Sequence, residues 1–232
     1  MAVAAKPNVE RVKAAIVFET MFGTTRLLAD AVARGLSVAG TGVEPTVSVR
    51  LANVNHATGL DIAGLDIAGL DIAGLDLLIV GAPTHAHGLS TPASRSEAMA
   101  WPNDPNKHVA LDADALDADA LDADARGIGM PGIGMHEWLV GLPAVPPYFA
   151  AFDSRWSHAR ILTGAASVHL SSILVSRGSW PVVPDESFLI SNDQLVTGEA
   201  YRAEVWGERL LAAAVSAMNR SPLGQRDYTR PS

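Results

Sequence analysis

The 232-residue sequence contains no cysteine, which removes disulfides, thiolate metal sites and cysteine nucleophiles together. That absence agrees with a reducing compartment. Basic residues are the scarcer charge: 17 Lys and Arg stand against 25 Asp and Glu, for a net charge of -8. An acidic chain is poorly suited to non-specific nucleic-acid binding, which relies on clustered cations to neutralise phosphates. Long apolar runs are also missing. No segment approaches the roughly 20 apolar residues that span a bilayer. The first apolar stretch, 14–18, is strand-length and follows a mixed polar start, unlike a secretory signal. The expectation is a cytoplasmic protein that engages neither nucleic acid nor membrane.

What is present is a 48% hydrophobic chain, long enough to bury a core as one domain. Residues 12–18 are apolar and rich in β-branched residues and alanine, the pattern of a strand buried on both faces. Helical character follows over 24–36, where Leu27, Leu28, Ala31, Val32 and Leu36 form an apolar stripe. Further strands are predicted at 43–51, at 75–82, from 149–152 and at 180–183, with helices over 165–177 and 199–219. Val205, Leu210, Leu211 and Val215 mark the expected buried side of the last helix. Strands alternating with helices imply an α/β fold, a doubly wound five-stranded parallel sheet. Ligands of such sheets sit beyond the carboxyl ends of the strands, where the strand order reverses.

Three segments repeat with period five. Gly-Leu-Asp-Ile-Ala occurs three times over 59–73, and Leu-Asp-Ala-Asp-Ala three times over 111–125; Gly-Ile-Gly-Met occurs twice around Pro131. A five-residue period turns a helix by about 140° per copy and flips a strand from face to face, so no apolar face persists. Each block is too short for the stacked units of a β-solenoid. They read as expanded surface connections, at 59–75 and 111–135, in a single domain over 1–220 with a disordered tail at 221–232. The aspartates Asp112, Asp114, Asp117, Asp119, Asp122 and Asp124 lack the glycine and terminal glutamate of an EF-type calcium loop and read as a solvated acidic insertion.

Between the first strand and first helix lie Glu19, Thr20, Met21, Phe22, Gly23, Thr24, Thr25 and Arg26. Backbone N–H groups at a helix start favour an anion. The hydroxyls of Thr20, Thr24 and Thr25 add donors, and Gly23 permits a tight turn. The Walker lysine and the Gly-x-Gly-x-x-Gly fingerprint are both missing. A monophosphate site remains, or an ordinary threonine-capped helix.

This turn resembles the FMN-phosphate loop of the flavodoxin family, Thr/Ser-x-Thr-Gly-x-Thr. It matches at Thr20, Gly23 and Thr25, with Phe22 where a hydroxyl residue is common and where flavodoxin-like quinone reductases often carry an aromatic. After the third strand, Pro83, Thr84, His85, Ala86, His87 and Gly88 resemble the flavodoxin segment bordering the flavin ring. The fourth strand ends in Asp153, Ser154, Arg155 and Trp156, similar to the third side of that pocket. The resemblance implies the strand order 2-1-3-4-5, one FMN cofactor with its phosphate on residues 20–25, and its ring between the other two loops. Trp156 is then a stacking residue or an ordinary tryptophan; Asp153 and Arg155 line the pocket, pair, or position the loop.

The implied function is electron transfer to a redox partner protein or a small quinone-like acceptor. The alternatives are an NAD(P)H-dependent quinone reductase on the same fold, and a flavin-free binding module. Thr84, His85 and His87 also resemble the start of a metallo-β-lactamase zinc pattern. Leu89 and Ser90 stand where its aspartate and third histidine belong, so no metal site is predicted.

Overall fold

The computed structural model describes residues 9–41, 45–57, 72, 74–85, 88–105, 107, 109–112, 132–157 and 164–220. Most of the repeated segments, Ala86, His87 and the tail 221–232 lie outside them. In chain order the elements are β1 (Arg11–Phe18), α1 (Thr24–Ala39), β2 (Thr46–Asn53), β3 (Leu77–Pro83), α2 (Pro92–Met99), α3 (Met135–Gly141), β4 (Tyr148–Trp156), α4 (Ala166–Ser176), β5 (Trp180–Pro181), β6 (Glu186–Ser191), β7 (Gln194–Leu195) and α5 (Glu199–Arg220).

The sheet runs β2-β1-β3-β4-β6-β7, with β5 also on β4. Its first four positions are the expected 2-1-3-4, all parallel. The fifth departs from expectation because that strand is split. Trp180 and Pro181 pair with Tyr148 and Phe149, and pairing resumes at Phe152 with Glu186. Along β4 the chain advances three residues over this interval while the edge advances five. Pro184 lies in the interruption and has no N–H to offer a ladder. β7 then returns antiparallel to β6 through Asn192 and Asp193, both at positive φ, the conformation that tight hairpin turns demand.

Helices cover both faces. On one, Val12, Ala14, Ile16 and Phe18 of β1 pack with Leu28, Val32 and Leu36 of α1 and Trp206, Leu210 and Leu211 of α5. On the other, Ala15 and Val17 meet Trp138 and Leu139 of α3 and Leu170 and Leu174 of α4. This is the period-two division of a strand buried on both sides. α1 and α5 approach backbone to backbone: a Cβ added to Gly207 would lie 2.4 Å from the Val32 carbonyl oxygen, and one on Gly35 1.9 Å from that of Glu204. Among the described residues, no helix is long and apolar enough to cross a membrane.

Candidate functional site

The turn 20–25 sits at the carboxyl edge of the sheet, directly after β1. Glu19 N–H donates to the Gly81 carbonyl at 2.9 Å, carrying the β1–β3 pairing one residue past the strand. The Gly23 N–H then donates to Thr20 Oγ1 at 3.0 Å, and Gly23 adopts φ 86°, a conformation that favours glycine. α1 starts at Thr24 without a capping hydrogen bond from its N-cap residue, Gly23. Its first N–H groups have no partner within the helix. Met21, Thr20 and Thr25 are buried, whereas Phe22 and Thr24 are half-buried.

The other two loops are tied to this turn and to α4. Thr25 Oγ1 lies 2.9 Å from Ser154 Oγ, linking α1 to β4. Thr84 N–H donates to the Ser154 carbonyl at 2.9 Å, and Thr84 Oγ1 accepts from Ala166 N–H at 3.0 Å. His85 and Gly88 exchange two backbone hydrogen bonds of 2.8 Å, closing a tight turn over α4; a Cβ on Gly88 would meet His169 Cε1 at 3.4 Å. Burial, and then the Arg95 guanidinium, pull the His85 imidazole below its ordinary value. Pro83 ends β3, and Trp156, at the end of β4, is 51% exposed. Arg155, half-buried, donates to the Trp156 carbonyl at 3.4 Å.

Asp153 faces the opposite way from Ser154, as successive strand residues must. Its Oδ2 accepts from Ser167 N–H at 2.9 Å and Ser167 Oγ at 2.7 Å, at the start of α4. Burial raises its carboxyl pKa, and the Ser167 bonds oppose that rise. Asp153 thus anchors a helix, while Thr20, Gly23, Thr24, Thr25, Ser154 and Thr84 converge at the sheet edge.

What closes this corner is not legible in the local sequence. Asp112, expected to be solvated, is only 10% exposed along its side chain. Its N–H donates to the Met21 carbonyl at 2.8 Å and its carboxylate pairs with Arg26. The carboxylate lies over the turn, with Oδ2 3.1 Å from where a Gly23 Cβ would stand. Beside it, Phe22 stacks on Trp101 with ring centroids 5.4 Å apart, and Lys107 Nζ sits 3.9 Å from the Trp101 centroid. Met21, Ala98 and Met99 form a small cluster beneath, joined by Leu111.

A second polar group lies under β1. Glu19 is buried, and its Oε2 accepts from Met135 N–H at 2.8 Å. Arg95 donates to Ser90 Oγ at 2.8 Å and reaches Glu137 at 3.3 Å. Burial pushes the Glu19 carboxyl up, against the Met135 amide, Ser90 and Arg95.

The helix start and Arg26 offer donors suited to a phosphomonoester, and the Asp112 carboxylate, paired with Arg26 beside Gly23, stands in for such an anion. The residues present therefore fit a phosphomonoester, in competition with Asp112.

No protein-family model matches the sequence, and no curated protein matches it either. Solved structures do share its fold. Oxidised flavodoxin 1 from Bacillus cereus superposes with a TM-score of 0.51 at 16% identity, over 86% of this chain and 97% of that one. A flavodoxin from the domain Archaea gives 0.50 at 14% identity, over 88% and 99%. The flavodiiron core of Flv1 from Synechocystis sp. PCC6803 gives 0.50 at 15%, over 90% of this chain and 37% of that chain. Sheet order, helices on both faces and these likenesses agree: the protein has a flavodoxin-like fold.

Proposed function

We propose that this protein binds FMN at the carboxyl ends of β1, β3 and β4 and passes electrons to a redox partner protein or a small quinone-like acceptor. The observation that carries this reading is the turn 20–25, which holds an anionic group over Gly23 at the β1/β3 switch point, the place where flavodoxins hold FMN. The Thr24 hydroxyl, the first amides of α1 and Arg26 hold the phosphate. Pro83, Thr84, His85 and Gly88 border the ring on one side and Trp156 on the other, its half-exposed indole offering a stacking surface. FMN, when bound, supplies the redox chemistry, and the protein supplies binding, orientation and electrostatics. A neutral His85 leaves the ring's surroundings without an added cation there.

The test is an FMN titration followed by quenching of flavin fluorescence, on the wild type and on Thr24→Glu. Glutamate in the first turn of α1 complements the helix dipole, so the fold is retained, while its charge repels the phosphate. Quenching by the wild type that Thr24→Glu loses supports the reading. No quenching by the wild type, nor by the triple variant Asp112→Asn/Asp117→Asn/Asp122→Asn, overturns it.

A second reading, a flavin-free binding module on the same scaffold, is favoured by one observation: Asp112 occupies the corner and Trp101 already stacks on Phe22. Failure of every variant to take up FMN selects it.

A further inference from the structure

We infer that Asp112 is a built-in competitor for the phosphate: its carboxylate, paired with Arg26 over Gly23, keeps turn 20–25 closed until an incoming phosphomonoester displaces it and takes Arg26 as its own partner. This rests on the FMN reading above and adds to it a control of access.

Carboxylate and phosphate are both anions and need the same donors, so they exclude one another from one corner. The contacts that hold Asp112 include a backbone hydrogen bond, Asp112 N–H to the Met21 carbonyl, and an ion pair whose arginine is 34% exposed and so open to a competing anion from solvent. Leu111, half-buried, packs on the small cluster of Met21, Ala98 and Met99. Release of Leu111 and Asp112 leaves both main core clusters intact. The sequence adds a feature of its own. Leu111 and Asp112 open the first of three identical copies, and the same Leu-Asp pair recurs at Leu116-Asp117 and Leu121-Asp122. Because the three pairs are identical in sequence, the test replaces the aspartate of all three.

The experiment compares wild type, Asp112→Asn, the triple variant Asp112→Asn/Asp117→Asn/Asp122→Asn, and a control triple variant Asp114→Asn/Asp119→Asn/Asp124→Asn that removes equal charge. Each is titrated with FMN, riboflavin and inorganic phosphate. The competitor reduces apparent affinity by the fraction of open turn. The first triple variant is therefore expected to bind FMN and phosphate about tenfold or more tightly than wild type. Riboflavin, which lacks the phosphate, stays unchanged, and Arg26→Gln in the triple background reverses the gain. Equal tightening in the control variant, or unchanged FMN affinity where the wild type binds FMN, overturns the competitor while the FMN reading stands. Tighter phosphate binding with no FMN binding in any variant supports the competitor and overturns the FMN reading. No binding of any ligand overturns both.

Discussion

Phe152 lies across the backbone of Gly81, its register partner in the β3–β4 ladder: a Cβ on Gly81 would stand 2.1 Å from Phe152 Cζ. The ring fills the space that a side chain on β3 would take, and it meets Phe188 and Trp206 edge-on at 6.1 and 6.0 Å. Gly81→Ala is expected to cost about 1–3 kcal/mol by overpacking, and Phe152→Ala about 3–5 kcal/mol. The double variant costs less than the sum, because the new methyl enters the vacated space. Urea unfolding of the three variants measures this.

The α1–α5 contact has no room for a side chain at either glycine. Gly207→Ala and Gly35→Ala each drive a methyl into a carbonyl of the facing helix, against which the small gain in helix propensity of alanine counts for little. Each is expected to lose about 1–3 kcal/mol, with the larger loss at Gly35, where the approach is closer. Thermal melts of the two variants rank them.

Asp153 and Ser167 divide their work unevenly. Asp153→Ala leaves the buried Ser167 N–H and hydroxyl without their acceptor, an expected loss of about 2–3 kcal/mol. Ser167→Ala removes only the hydroxyl and keeps the N–H bond, an expected loss of about 1 kcal/mol. Chemical denaturation that reverses this order contradicts the anchoring role.

Glu19 gives stability a pH dependence with a definite sign. Burial raises its folded pKa above 4.5, so the native state holds that proton more tightly than the unfolded chain. The stabilisation is complete below the unfolded value and is lost as pH rises through the folded one. Asp153 acts in the same direction. Glu19→Gln, which resembles the protonated acid, is expected to flatten the decline above pH 4.5 by at most about 1.4 kcal/mol per pH unit. Urea midpoints of variant and wild type across a pH series provide the check.

The elements legible in the sequence are those whose periodicity is strong over their own length. β1, β3 and the start of β4 read as buried runs, and α1 and α5 as amphipathic helices, although α5 buries Ala203, Trp206, Gly207, Leu210, Leu211, Ala214 and Met218 and leaves Val205 and Val215 at the margin. α2 escapes notice because it buries only Arg95, Ala98 and Met99, and α3 because it is seven residues long behind a glycine-rich repeat. β6 is hidden by the proline before it and by polar ends. At the site, the turn 20–25 is legible because its chemistry is local. The partner of Thr25 is 129 residues away and that of Arg26 is 86 residues away. Nothing local separates Asp112 from the aspartates that follow it in the same repeat.

The divided edge also bears on how the sheet meets other chains. β5 and β7 are two residues each, too short to template a foreign strand, and the break between β5 and β6 interrupts the ladder. β2 is different: it has eight residues and, among the described residues, pairs with β1 alone. Among the described residues its outward carbonyls and amides make the longer open edge of the sheet, and the exposed Arg50 places a charge on that edge, which discourages strand addition.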